Sequence, residues 1–131
     1  MEPLSVDEIR RSFVNSSRSL VKAMTPPREF AELPWDSLDY LGWRDPKAPN
    51  RAYLVVRREG GIIAIALNTQ TTGKPRRGTR LCDLCYTAHH VTDVALFAAR
   101  RAGAAGREGN TVGTYICADL ACSLYLRGLR E

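Results

Sequence analysis

The sequence lacks any hydrophobic run long enough to cross a membrane. Its longest aliphatic run, Ile62 to Leu67, is far shorter than the ~20 residues that a spanning helix needs. The N-terminus, "MEPLSVDEIRRSF", also lacks the basic stretch and apolar segment of a secretory leader. These absences predict a cytoplasmic protein without membrane contact. Thiols stay reduced in that compartment, which disfavours disulfides and favours metal binding by cysteines.

Catalytic motifs are missing as well. The chain contains no G-x-S-x-G, no H-E-x-x-H and no GKS or GKT phosphate loop. Carboxylates such as Asp36 and Asp39 are explained as helix-start or surface residues, and no nucleophile stands beside a base. We therefore expect a binding protein rather than an enzyme.

What is present fits a folded protein of ordinary composition. The 131 residues are 44% hydrophobic and 25% charged, as in one globular domain or two small lobes. The net charge of +5 is uneven: 10 Lys and Arg face 9 Asp and Glu up to Thr71, and 9 face 5 from Thr72 onward. The basic excess lies in "GKPRRGTR" and at Arg100, Arg101 and Arg107. Such a surface attracts RNA, the ribosome or an acidic protein face, although solubility alone also explains it.

The first half predicts a helix and a β-hairpin. The capping box "SVDE" and helical apolar spacing predict a helix over residues 6–24, ended by two prolines. A short helical turn is expected over residues 35–40, then a loop, although "DYLGWRDP" is distinctive for a linker. The β-rich runs Ala52–Arg57 and Ile62–Leu67 flank a Glu-Gly-Gly turn. The second run is apolar on both faces, which predicts a central strand. The polar stretch Asn68–Gly78 is predicted to be a linker. We therefore expect two domains, residues 1–72 and residues 73–131.

The four cysteines form two pairs, C-x2-C and C-x4-C, at Cys82, Cys85, Cys117 and Cys122. Two such pairs can close one tetrahedral zinc site, and the 31 residues between them hold a predicted hairpin, with strands over residues 91–100 and 111–116. A helix is expected to begin near the last cysteine, where the helix dipole favours thiolate. This order is typical of a treble clef. With four thiolates the ion is structural, because no position remains for water.

Other readings of the cysteines stay open. A redox dithiol at Cys82 and Cys85 lacks the expected βαβ surroundings, and an iron–sulfur site is a further alternative. His89 lies close to the first pair and could replace Cys82 as a ligand, or be a supporting or exposed residue.

The stretches "FAELPWDSLDYLGWRDPKAPNRAYLVV", "LCDLCYTAHH" and "GNTVGTYICADLACSLYLRG" resemble the elongation factor G-binding family, which includes the FusB-type fusidic-acid resistance proteins. The resemblance implies a treble-clef zinc finger that binds elongation factor G. In FusB-type members it also implies release of that factor from ribosomes on which fusidic acid has trapped it. Those resistance proteins are longer and have a more extensive helical N-terminal region.

We thus expect an α+β monomer: an N-terminal helix and β-hairpin region followed by a treble-clef zinc finger with one structural Zn²⁺. Its expected partner is elongation factor G or the ribosome, and an RNA-binding zinc module is the alternative. The candidate partner-binding residues are chosen by their positions on the predicted clef. They are Phe97, Arg100, Arg101, Arg107 and Arg127, with Tyr125 and Arg130 as further candidates. Phe97 and Tyr125 could instead pack the small core around zinc.

Overall fold

A computed structural model describes residues 1–58, 60–69, 79–82, 84, 88–90, 94–100 and 111–122 of the chain. Within these ranges lie two α-helices and two 3-10 turns: α1 (Val6–Arg11), α2 (Arg18–Ala23), Phe30–Glu32 and Trp35–Ser37. The strands are β1 (Leu41–Asp45), β2 (Ala48–Arg58), β3 (Gly61–Thr69), β4 (Thr79–Leu81), β5 (Ala88–His90), β6 (Val94–Arg100) and β7 (Thr111–Cys117).

Antiparallel sheet dominates the described structure. Five strands form one sheet in the order β1-β2-β3-β6-β7, and β4 pairs with β5 in a separate ribbon. The helices are short, so the expected α+β class is supported only loosely. The large sheet takes strands from both sides of residue 72. Whether residues 1–72 and 73–131 are separate folding units stays a prediction.

The predicted hairpin is confirmed. Strands β2 and β3 pair over eight residue positions, from Arg51 opposite Asn68 to Arg58 opposite Gly61. The turn holds Gly60 at φ 89° and Gly61 at φ 140°, conformations that residues with a Cβ rarely adopt. Strand β3 lies between β2 and β6 in the sheet, as its two-sided apolar pattern predicted.

The single long N-terminal helix was a wrong prediction, because the chain leaves the helix between α1 and α2. Ser5 caps α1 as expected, with its hydroxyl accepting from the Glu8 amide at 3.2 Å. The backbone of residues 12–14 then pairs with Ala64 of β3, at 3.0 and 3.1 Å. The Asn15 side chain adds two hydrogen bonds to the Ala66 backbone. Among the described residues, strand β6 pairs with β3 only at residues 67–69. The tertiary hydrogen bonds that residues 12–15 make to Ala64 and Ala66 outweigh local helix propensity.

Strand β1 lies where the sequence predicted a loop after a short turn. The turn exists over Trp35–Ser37, but Leu41–Asp45 then pairs with β2 and alternates buried with partly exposed residues. Because side chains of a strand point to opposite faces in turn, Leu41, Trp43 and Asp45 face one way, and Gly42 and Arg44 the other.

The large sheet has an apolar core on each face. One core joins the N-terminal helices to the sheet and includes Ile9, Trp35, Trp43, Tyr53 and Val55. The other packs Ala52, Leu67 and Phe97 of the sheet against Cys82 and the 117–122 segment. The cysteine region is therefore seated on the opposite sheet face from the N-terminal helices.

Asp45 gathers three hydrogen bonds in the N-terminal core, although its side chain is only 2% exposed. The Tyr53 hydroxyl donates to it at 2.7 Å, the Thr25 amide at 3.1 Å and the Lys47 amide at 2.9 Å. Burial alone would raise the pKa of Asp45, but these hydrogen bonds to the charged form lower it below 3.8 overall. The carboxylate thus ties β1 to β2 and to the segment before the first 3-10 turn.

We expect Asp45→Asn to lower the free energy of unfolding at pH 7 by about 1–3 kcal/mol, since an amide nitrogen cannot accept these bonds. Because the folded pKa lies below the unfolded value, the charge stabilises the fold above about pH 4, and this contribution is lost as pH falls through the folded pKa. Urea unfolding from pH 7 to pH 2 should show less acid dependence in the variant. Asp36→Asn, at an exposed site, is the control, and equal losses in both variants would contradict the prediction.

Candidate metal centre

Three cysteines from distant parts of the chain meet in one buried cluster. Cys82 directly follows β4, Cys117 ends β7, and Cys122 has helical backbone conformation. Their side chains are at most 1% exposed, and the three sulfurs all lie within 4.8 Å of one another. The predicted return strand and the turn that follows it therefore bring the sulfurs of Cys117 and Cys122 next to that of Cys82. The predicted helix after Cys122 lies outside the described residues.

The cluster fits a tetrahedral zinc ion. Zinc–sulfur bonds of about 2.3 Å at tetrahedral angles place two sulfurs about 3.8 Å apart, and Sγ of Cys82 lies 3.5 Å from Sγ of Cys122. None of the three cysteines forms a disulfide. Two backbone amides, of Leu84 and Cys117, point at Sγ of Cys82 from 3.4 and 3.3 Å. Such N–H groups stabilise a thiolate, the form that a metal requires.

The segment from Cys117 to Cys122, here called the zinc corner, turns sharply to return its second sulfur. The Leu120 amide donates to the Cys117 carbonyl at 2.8 Å, and Leu120 adopts φ 59°, an uncommon conformation for a residue with a Cβ. Asp119 then accepts from the Ala121 amide at 3.0 Å, which satisfies one donor before the helical residue Cys122. Leu120 is 2% exposed and fills the core beneath the corner.

Without metal, the centre holds neutral thiol at Cys122. Burial raises the pKa of this thiol to about 12, and the contact with the Tyr40 hydroxyl opposes that rise. Metal binding must therefore displace the proton, and zinc affinity falls as the pH is lowered.

Strand β1 supports the zinc corner through alternate residues that sequence reasoning did not single out. Arg44 donates from Nε to the Ala118 carbonyl at 2.8 Å, and its guanidinium lies 5.5 Å from the Phe97 ring centre. Gly42 lies directly under Leu120. Tyr40, just before β1, packs on the cysteine core, with its hydroxyl next to Cys122. Residues 40, 42 and 44 thus face residues 122, 120 and 118 in turn. The only feature of the sequence that pointed to these contacts was the distinctive stretch "DYLGWRDP".

Gly42 cannot gain a side chain without moving the zinc corner. A Cβ there would lie 2.8 Å from the Leu120 Cβ and 3.1 Å from its carbonyl oxygen, closer than packed carbons approach. We expect Gly42→Ala to lower the free energy of unfolding of the zinc-loaded protein by about 1–3 kcal/mol. Gly113→Ala is the matched control, because the nearest atom to its Cβ would be Leu96 Cδ1, at 3.4 Å, an ordinary contact distance. Urea titrations followed by circular dichroism measure both, and a smaller loss at Gly42 than at Gly113 would contradict the close approach.

The other predicted site residues are only partly described. Cys85, Arg101, Arg107, Tyr125, Arg127 and Arg130 lie outside the described residues. For Arg100 and His89 the structure gives only strand positions in β6 and β5. Cys82 stands in the cluster itself, which leaves no reason for His89 to replace it. Cys85 as the fourth ligand stays a prediction.

Phe97 does not present a surface to a partner. Its side chain is fully buried in the core beneath the zinc corner and carries Arg44 on its ring. The prediction that Phe97 contacts a partner is therefore wrong, and the alternative, that Phe97 packs the core around the zinc centre, is correct.

Comparison with known proteins agrees with the geometry. The model of the family described as "FBP C-terminal treble-clef zinc-finger" matches residues 8–131. No curated protein and no solved structure matches the chain significantly. In the part of the chain that the structure describes, no helix has the length and apolar character to span a membrane. The family match and the buried cysteine cluster together identify a binding site for one zinc ion.

Proposed function

Since the chain belongs to the FBP C-terminal treble-clef zinc-finger family, we propose that it is a zinc-stabilised binding protein for a translation component, elongation factor G. The observation that carries the proposal is the family match over residues 8–131 together with the buried cysteine cluster within it. Zinc fixes the clef, and the clef presents the contact surface. A cytoplasmic location, a monomeric state and the absence of catalysis belong to this proposal.

A release activity would follow from binding alone. If the protein binds one conformation of elongation factor G more tightly than the ribosome-bound one, it shifts the population of the factor away from the ribosome. Fusidic-acid complexes of ribosome and factor, pelleted with and without the protein, test this step. Factor moving to the supernatant supports release, and factor that stays pelleted restricts the proposal to binding.

RNA or the ribosome is the second candidate partner, favoured by the charge of the C-terminal half, where 9 basic residues face 5 acidic ones from Thr72 onward. The two candidates differ in salt dependence. RNA affinity falls steeply as log salt rises, by about 0.7 per neutralised phosphate for a single strand, while a protein interface shows a modest slope and survives nuclease.

The deciding experiment is capture from a nuclease-treated lysate of the source organism, followed by titration of purified elongation factor G. Wild-type protein should bind the factor, and Cys117→Ser, which lacks a zinc ligand, should not. Recovery of RNA alone would overturn the proposal.

A pair of charge reversals then locates the surface. Arg100→Glu/Arg101→Glu should weaken binding of the factor at least about tenfold, as expected where arginines carry an interface. Arg57→Glu/Arg58→Glu makes the same charge change at exposed residues of β2 and should leave the affinity unchanged. Equal effects of the two double variants would mean that net charge, rather than the clef, sets the affinity.

A further inference from the structure

The buried Tyr40 hydroxyl lies beside the Cys122 sulfur, but their contact does not reach the geometry of a full hydrogen bond. A buried hydroxyl without a full hydrogen bond costs free energy, so its position calls for a physical reason. The ring of Tyr40 packs on the core that contains Cys82, Cys117 and Cys122. The hydroxyl lies next to the Cys122 sulfur. A tyrosine hydroxyl donates a hydrogen bond, so the group is a donor beside a zinc ligand.

We propose that Tyr40 is a positioning residue of the zinc centre, which donates a hydrogen bond from its hydroxyl to the sulfur of Cys122 when zinc is bound. A thiol is a weak hydrogen-bond acceptor. A thiolate carries charge, and hydrogen bonds to charged groups are roughly twice as strong as neutral ones. The contact between the Tyr40 hydroxyl and the Cys122 sulfur thus becomes a full hydrogen bond when metal binding makes the sulfur a thiolate.

The surroundings hold Tyr40 in place for this role. One ring carbon, Cε2, lies close to Gly42, where an added Cβ would approach it to 3.2 Å. Gly42 in turn lies beneath Leu120, and Arg44 holds the Ala118 carbonyl at 2.8 Å. The zinc corner is thus fixed against β1 at two points besides Tyr40, so the distance from hydroxyl to sulfur does not depend on the tyrosine alone.

Tyr40→Phe tests the proposal, because it removes one oxygen atom and keeps the ring. We expect zinc affinity, measured by competition with a chromophoric chelator, to fall about tenfold or more, as for loss of other groups that support a metal ligand. Tyr53→Phe is the matched control: it also removes a buried hydroxyl, one that donates to Asp45 in the core on the other sheet face. This control should lose stability and keep its zinc affinity.

Cobalt substitution gives a second readout that a purely structural role would not move. A hydrogen bond to a thiolate lowers the energy of its sulfur electrons, so its loss should shift the cobalt–thiolate charge-transfer band to longer wavelength in Tyr40→Phe. Tyr53→Phe should leave the band in place. Unchanged zinc affinity and an unchanged cobalt band in folded Tyr40→Phe would overturn the proposal.

Discussion

Cys117→Ser should abolish zinc binding and lower the free energy of unfolding by at least about 5 kcal/mol, since structural zinc contributes about 10–16 kcal/mol in small zinc fingers. The reason is the position of Cys117, which ends β7 and carries one of three clustered sulfurs at 1% exposure. Without the ion, the corner that packs Leu120 into the core loses its main constraint. Metal content by mass spectrometry and thermal unfolding by circular dichroism measure the two effects.

Chelation of the wild-type protein supplies the control for this prediction. A chelator should reproduce the loss of stability, and added zinc should restore it in the wild type but not in Cys117→Ser. Retention of one zinc per chain by the variant at wild-type stability would contradict the assignment.

The fourth ligand can be decided in the same assay. Cys85→Ser should lose zinc as Cys117→Ser does, and His89→Ala should keep it. The reverse result would make the histidine the ligand and would leave Cys85 without a metal role.

Trp43→Ala should produce the largest loss on the other face of the sheet, about 3–5 kcal/mol. The indole is 5% exposed, lies 5.1 Å from the Tyr53 ring centre and donates from Nε1 to the Thr25 carbonyl at 2.9 Å. Its removal leaves a cavity and takes the donor from the partly buried Thr25 carbonyl. Urea unfolding monitored by far-ultraviolet circular dichroism gives the magnitude.

Two further variants divide this loss into its causes. Trp43→Phe keeps most of the volume and loses the hydrogen bond, so it should cost less than the alanine variant. Leu20→Ala, at a residue that is 40% exposed, should change the stability by no more than about 0.5 kcal/mol. A loss below that of Leu20→Ala would exclude a core role for Trp43.

Local signals in the sequence were sufficient for several parts of the structure. The hairpin β2–β3 has a glycine turn between two β-rich runs, and the cysteine spacing predicted the meeting of Cys82, Cys117 and Cys122. Each of these features depends on residues that are close in sequence or on ligand chemistry that leaves few alternatives. The zinc site could therefore be predicted before the fold around it.

Features that depend on contacts between distant segments could not be predicted in this way. Strand β1 has five residues with a glycine, too few for alternation to stand out. Its hydrogen bond from Arg44 to Ala118 joins residues 74 positions apart. The break between α1 and α2 likewise depends on Ala64 and Ala66 of β3, which offer hydrogen bonds that no local pattern reveals.

The pairing of residues 12–15 with β3 also bears on solubility. Strand β3 contains "GIIAIAL", a run without charge or proline, which is the composition that favours aggregation through strand pairing. Ser12, Val14 and Asn15 take up hydrogen-bonding groups of Ala64 and Ala66, at positions of β3 that no described residue of β6 pairs with. Residues 12–15 therefore protect this edge of β3 from pairing with a strand of another molecule. Removal of residues 1–15 would therefore expose an aggregation-prone strand, even in a protein that still binds zinc.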